Sequence, residues 1–363
     1  MERGKGRLDD GILAIDIGSG TQDILVWQKG VNPENCPKMI LPSPTSIIAR
    51  LIRQATAKRS HVFLKGRTMG GGPSTAALKA HIKAGLKVFA LEQAALTFHD
   101  DLGKVSRMGI ELVNSRPNVE PLVELEMGDL QLDAIRQVLE TYYIPMPGNL
   151  VVAVQDHGYS PNTSNRVVRF KMWRGVVEAG AGFHHLLFSM PPANMTRMRA
   201  IKQTAPWAWV MDTGPAAILG AMLDPWLEKR KDEGITIVNV GNEHVLAALV
   251  KDSRIFGIYE HHTSLMSPEK LRDHLQRFRC GSLSNEEVFN DMGHGCFVHR
   301  EAARISDFPH LALTGPNRVS FDCLGGHMAS PFGDMMLTGC FGLVEAFTRL
   351  EKDSKNGKHQ ETD

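Results

Sequence analysis

The sequence is poor in cysteine: 363 residues hold five, Cys36, Cys280, Cys296, Cys323 and Cys340, and no two form a CxxC pair. That odd count, with no apolar signal segment in the polar start MERGKGRLDDG, points to a reducing, cytoplasmic setting. Charge of one sign is missing too. Its 41 basic residues against 40 acidic ones leave a net +1, which favours neither nucleic acid nor a membrane as partner. Aromatic residues make up only 7%, and no basic block is interleaved with them, so a nucleic-acid groove is not expected. No apolar run is long enough to span a bilayer.

What is present describes a globular protein. Hydrophobic content of 42% over this length supports a large core and two lobes. The most telling stretch is Gly11 to Lys29, GILAIDIGSGTQDILVWQK. Ile12 to Ile15 form an apolar run that ends at Asp16, Gly18-Ser19-Gly20-Thr21 turn the chain, and Ile24 to Val26 lead back. This predicts a β-hairpin with a carboxylate at its mouth. Glycines at 18 and 20 let consecutive N–H groups converge on an anion, Ser19 and Thr21 add hydroxyl donors, and Asp16 suits a hydrated Mg²⁺. The same residues also serve an ordinary hairpin. No Gly-Lys-Ser/Thr follows, and a strand rather than a helix comes next, so neither a Walker loop nor a dinucleotide fingerprint is present.

Further along, a proline-marked loop spans residues 32–44, and Ser43-Pro44 opens a helix expected to reach Arg59. Strands at 61–65 and 87–90 flank a glycine loop (68–73) and a helix (74–84), an order that suggests an α/β layer. Gly70 to Thr75, GGGPST, offers N–H groups at a helix N-terminus to an anion, or simply joins strand to helix. Helices are expected at 130–142 and 166–177, and a buried strand, Leu150 to Gln155, ends at Asp156-His157. Asp156 is the candidate base or substrate-binding carboxylate, because α/β folds place ligands at strand ends; His262 is the next candidate.

The second half repeats the opening device. Ile235 to Gly241 is an apolar strand, Gly241-Asn242-Glu243 turn, Val245 to Val250 return, and 254–260 form a third strand. Two such units suggest a duplicated fold whose turns face one ligand. A helix at 267–279, a strand at 311–314 stopping at Gly315-Pro316-Asn317, and a last helix at 334–350 follow, and 352–363 read as a charged, disordered tail. Of the fifteen histidines, His294 and His299 lie beside Cys296, with Cys280 nearby. These are zinc-type ligands at a spacing that matches no common closed site.

Together the motifs resemble those of the actin, Hsp70 and sugar-kinase superfamily. Asp16 to Thr21 is similar to its first phosphate motif, Asp212 to Ala221 to its first connecting helix, and Ile237 to Asn242 to its second phosphate motif. Leu313 to Asn317 resembles the adenosine motif, and Gly333 to Gly339 the second connecting helix. Within that superfamily the chain most resembles a group labelled pyruvate-formate-lyase-activating-like. A radical activase of that name needs CxxxCxxC, a spacing absent here.

The resemblance implies a mixed α/β, two-lobed actin-like (ribonuclease H-like) fold with ATP and Mg²⁺ in the cleft. The lobes would span 1–211 and 212–351, with connecting helices near 212–223 and 333–350. Asp16 would hold the metal through water. Gly18 to Thr21 with Asn239, Gly241 and Asn242 would clasp the phosphates, and Gly315, Pro316 and Asn317 would meet the adenosine. Asn239 departs from the aspartate usual at its position, with Glu243 or Asp212 as substitute carboxylates. Asp212 reads either as a water-orienting acid or as a helix N-cap. The implied activity is phosphorylation of a small molecule or ATP-driven maturation of a client enzyme; a nucleotide-gated sensor with little turnover is the alternative. Relatives that bridge a cluster between subunits make Cys340 a candidate in a homodimer.

Overall fold

The computed structural model describes residues 8–304 and 308–360. Chain order runs through β1 (Leu8–Ile17), β2 (Thr21–Trp27) and β3 (Lys38–Pro42), then an inserted segment with β4 (His61–Gly66), β5 (Val88–Ala90), β6 (Ile110–Leu112) and β7 (Leu122–Met127). It returns through β8 (Pro147–Val154) and β9 (Trp209–Met211), and the second half supplies β10 (Ile235–Val240), β11 (His244–Lys251), β12 (Arg254–His262), β13 (Gly295–Val298), β14 (His310–Thr314) and β15 (His327–Met328). Helices of nine or more residues are α1 (Pro44–Ala57), α2 (Gly72–Lys83), α3 (Leu132–Thr141), α4 (Asn165–Glu178), α5 (Thr196–Thr204), α6 (Thr213–Ala221), α7 (Pro268–Arg279) and α8 (Thr338–Gln360).

Two sheets carry one topology twice. The first runs β3-β2-β1-β8-β9 and the second β12-β11-β10-β14-β15, with β13 added at its edge. In each, two antiparallel hairpins precede parallel strands. This is the duplicated fold that the repeated hairpins suggested, and the two-lobed, actin-like class that the resemblance implied. The inserted segment forms a separate parallel sheet, β6-β5-β4-β7, beside the first lobe.

Strand periodicity decides what faces the space between the lobes. Ile12 and Ala14 point to a core that also takes in α6 and α8, whereas Leu13, Ile15 and Ile17 pack on the opposite face against α3 and α5. Asp16 therefore falls on the interlobe side. On β10 the same alternation puts Ile235 and Ile237 in the shared core and Val238 and Val240 against α7, so Asn239 faces inward as well.

Two boundaries differ from the sequence reading. β3 lies within the stretch read as a proline-marked loop; as an edge strand it buries only partly and carries little apolar signal. The last helix begins at Thr338 rather than 334 and runs to Gln360, through most of the stretch read as a disordered tail, whose last three residues lie outside the described ones. Among the described residues no helix is long and apolar enough to cross a membrane.

Candidate active site

The two glycine turns are built alike. Gly18 N–H donates to Thr21 O at 2.9 Å, and Gly241 N–H donates to His244 O at 2.9 Å. Hydroxyls behind each turn hold its carbonyls back. Ser43 Oγ donates to Ser19 O at 2.6 Å, and Thr263 Oγ1 donates to Gly241 O at 2.8 Å. A trans peptide points its N–H opposite its C=O, so the amides of Gly20 and Asn242 are turned away from these anchors. The turns meet across the cleft: a Cβ on Gly20 would stand 2.8 Å from Asn242 Nδ2. Asn317 joins them, donating from Nδ2 to Gly241 O at 3.0 Å and to Asn242 Oδ1 at 3.2 Å.

A cavity of ≈ 120 Å³ lies behind the turns, lined by Asp16, Ser19, Thr21, Asn239, Asn242, Glu243, Gly315 and Pro316 among others. Residues singled out from three separate motifs thus share one cavity. Asp16 packs against Gly339 at the start of α8, where a Cβ would come within 2.6 Å of its Cγ. Its Oδ1 is buried without a hydrogen-bond partner. Burial, then the nearby Asp23 and Asp212, push the Asp16 pKa well above the carboxylate range. Asp23, opposite Asp16 in the β1–β2 register, is pushed up to about 7, chiefly by burial with a contribution from Asp334. An orphaned buried oxygen among like charges is an environment that a cation would relieve. The donor set of this cavity therefore fits a hydrated divalent ion.

Asp212 is occupied elsewhere. Its Oδ1 accepts from Gly214 N–H at 3.0 Å as the N-cap of α6, and from Arg169 Nη2 at 2.9 Å. Its Oδ2 accepts from Asp156 N–H at 3.1 Å and from Arg169 Nη1. Arg169, 1% exposed on α4, also donates to Glu260 on β12 at 3.1 Å. Burial works against its charge, but Asp212 and Glu260 outweigh it and hold the guanidinium more firmly protonated than usual. The sequence reading missed this bridge, because a lone arginine in a helix carries no motif.

Beside the cleft opens a second, larger cavity of ≈ 790 Å³, walled by the Gly70–Gly72 loop, the residues after β8, and the second turn. The two cavities share Gly18, Ser19, Gln155, Glu243 and His244. Asp129 and Arg197, also unforeseen, fix the glycine loop: Asp129 accepts from Gly70 N–H at 3.2 Å and from Arg197 Nε at 2.9 Å. Asp156 lines this cavity, but its oxygens accept from Gly158 N–H and Met198 N–H, each at 2.9 Å.

The cysteines do not assemble. Cys340 is fully buried between the lobes, donating to Asp23 O at 3.1 Å, which rules out a bridge between subunits through its thiol. Cys296 sits in the core beneath α7, where burial pushes its thiol up to about 12, and Cys280 is exposed at the end of α7. Among the described residues His299 and the cysteines join no group with metal-ligand geometry; His294 instead meets His157 and His244.

No curated protein matches the chain. Similar solved structures include the activator of the 2-hydroxyisocaproyl-CoA dehydratase from Clostridium difficile with bound ADPNP, 9% identical over 95% of this chain and 97% of that one (TM-score 0.29). Another is MreB 5 of Spiroplasma citri bound to AMPPNP, 11% identical over 96% and 98% (TM-score 0.33). A third is a ROK family transcriptional regulator, homolog of the E. coli MLC protein, 9% identical over 94% and 70% (TM-score 0.32). A family model matches residues 69–320, more than half of the sequence, and the chain therefore belongs to the family described as "Putative pyruvate format-lyase activating enzyme (DUF1786)".

Proposed function

We propose that this protein binds ATP with Mg²⁺ between its lobes and transfers the terminal phosphoryl group to a small-molecule acceptor held in the adjoining cavity. The observation that carries this reading is the pair of matched glycine turns, one from each sheet copy, meeting over the orphaned oxygen of Asp16. Backbone amides of the two turns would take the phosphates, and Gly315 with Pro316 would lie against the adenosine. Asp16 would hold Mg²⁺ through water, and the ion, when bound, supplies positive charge against the phosphates. The ≈ 120 Å³ cavity is smaller than a nucleotide needs, so admission requires the lobes to part. Closure then excludes water, which is much of what phosphoryl transfer asks of a protein.

Glu243 stands at the junction of the two cavities and is exposed, whereas Asp156 and Asp212 spend their oxygens on backbone and arginine. Glu243 is therefore the proposed base toward an acceptor hydroxyl. Maturation of a client enzyme, suggested by the family description, has less support, because no three cysteines converge among the described residues. Asn239 favours a second reading, a nucleotide-gated module with little turnover; steady-state hydrolysis with and without candidate acceptors separates the two.

Thermal denaturation tests the nucleotide site. A ligand at 100 times its Kd adds about 2.7 kcal/mol to the native state, so Mg·ATP should raise Tm. Asp16→Ala should abolish most of the Mg²⁺ dependence of that rise. Absence of any ATP-induced shift in the wild type would overturn the proposal.

A further inference from the structure

Three histidines that no motif connects come together where the lobes meet. His157 follows β8 of the first lobe, His244 opens β11, and His294 precedes β13 of the second lobe. One ring nitrogen from each lies within 4.8 Å of the others. Their ring centroids are 5.4 Å apart for 157–244, 4.7 Å for 244–294 and 5.7 Å for 157–294.

His294 supplies an independent sign that something is meant to bind. Its ring is 2% exposed, yet neither nitrogen has a hydrogen-bond partner. Leaving a buried polar atom unpaired costs about 1–3 kcal/mol, so two on one ring are an unusual expense for a structural side chain. His244 Nε2 is buried and unpartnered as well. Its Nδ1 meets the Gln155 amide. With the amide oxygen turned to accept Nδ1–H, Gln155 fixes the ring and presents the Nε2 lone pair inward.

We propose that His157, His244 and His294 form a binding site for a transition-metal dication of the Zn²⁺ class, with its fourth position open to the ≈ 790 Å³ cavity. Imidazole suits such ions, and three protein ligands with one open position are the pattern of catalytic rather than structural zinc. Tetrahedral ligation at about 2.1 Å places nitrogens about 3.4 Å apart, so the rings must close by about 1 Å, within reach of side-chain rotation. The charges around the site are mixed, with Arg166 and Arg197 nearby as well as the Arg169 cluster. Arg169 carries one positive charge, and its partners Asp212 and Glu260 bring that buried trio to net −1; Glu260 Oε2 lies 3.7 Å from His294 Nδ1. His262, whose ring is 5.0 Å from that of His294, flanks the site without belonging to the ligand group. Because His157 comes from one lobe and the other two from its partner lobe, the ion ties them together beside the nucleotide cleft. The open position would take an oxygen donor, water or an acceptor oxygen, and polarise it.

The test uses the full chain, stripped with chelator and titrated with Co²⁺ and then Zn²⁺ in the absence of nucleotide, so its outcome is independent of ATP binding. Expected are one ion per chain, a tetrahedral Co²⁺ visible spectrum displaced by Zn²⁺, and a rise in Tm on loading. His294→Gln should weaken Zn²⁺ binding at least about 100-fold and abolish the Co²⁺ spectrum, while His299→Gln leaves both unchanged. Should His294→Gln fail to fold, His157→Gln, at a less buried position, carries the same expectation. A wild type that takes up no stoichiometric ion, or a folded His157→Gln variant that keeps the spectrum, would overturn the proposal.

Discussion

Gly220 of α6 and Gly342 of α8 lie backbone against backbone where the two interlobe helices cross. A Cβ on Gly342 would stand 2.7 Å from Gly220 N, and one on Gly220 would stand 2.7 Å from the carbonyl carbon of Thr338. Neither neighbour is a flexible side chain that can step aside. This crossing joins the lobes: α8 rests on β1, β2 and β8, and α6 on β10 and β8.

Gly342→Ala should therefore force the helices apart and cost about 3 kcal/mol or more, at the upper end of overpacking effects. Equilibrium urea unfolding measures it. A loss under about 1 kcal/mol would mean that the helices separate freely and that the crossing does not fix the lobe angle.

Asp23 sets a pH dependence of known sign. Its pKa is raised from 3.8 to about 7, so between those values the native state keeps a proton that the unfolded chain has released. Its stabilising contribution is full below about pH 4, falls as pH rises, and is gone above about 7. At 1.36 kcal/mol per unit the span is about 2–4 kcal/mol, allowing for its coupling to Asp16 and Asp334. In Mg²⁺-free buffer Asp23→Asn should remove that downward slope, so the variant gains on the wild type as pH rises from 4 to 7. Parallel Tm–pH curves for the two proteins would refute the assignment.

Much of the frame was legible in the sequence, and the reason is local. Apolar-rich runs at 12–15 and 235–240, each leading into a glycine turn, announce their hairpins within a few residues, and duplication follows from seeing the pattern twice. The site's supports were hidden because they are assembled from afar. Arg169 meets Asp212 and Glu260 from three elements, and Arg197 meets Asp129 across 68 positions. The histidines show the same lesson. Proximity along the chain groups His294 with Cys296 and His299, whereas folding sends Cys296 into the core under α7 and His294 to His157 and His244.

Two carboxylates near the large cavity should respond differently to neutralisation. Asp156 accepts two backbone N–H bonds, so Asp156→Asn strips one acceptor and should cost about 1–3 kcal/mol of stability. Glu243 lies exposed at the junction, so Glu243→Gln should leave Tm within about 0.5 kcal/mol equivalent yet lower acceptor-stimulated turnover about 10²-fold or more. Paired melting and coupled ADP-release assays read both. A stable, inactive Asp156→Asn variant alongside an active Glu243→Gln variant would reverse the roles.

Asn239 stands where the resemblance to the actin-like superfamily implies an aspartate. It lines the same cavity as Asp16, wedged so that a Cβ on Gly315 would come 2.5 Å from its Oδ1. An amide can orient water or phosphate but adds no charge to hold a metal, so Mg²⁺ would rest on Asp16 and the phosphates. Binding survives such a deficit, since Mg²⁺ keeps most of its waters, while hydrolysis by water stays slow. Asn239→Asp restores the charge without changing shape. It should raise basal ATP hydrolysis about tenfold, or about 1.4 kcal/mol in the barrier, with a much smaller change in ATP affinity. The same substitution adds a further carboxylate to the cavity that Asp16 lines, where burial, Asp23 and Asp212 already drive the Asp16 pKa upward. Without Mg²⁺ the variant should therefore melt below the wild type, by about 1–2 kcal/mol of like-charge repulsion, and Mg·ATP should close that gap. Hydrolysis assays and melting curves, each with and without Mg²⁺, test both halves. Flat turnover in a folded variant whose melting ignores Mg²⁺ would show that residue 239 does not face the metal.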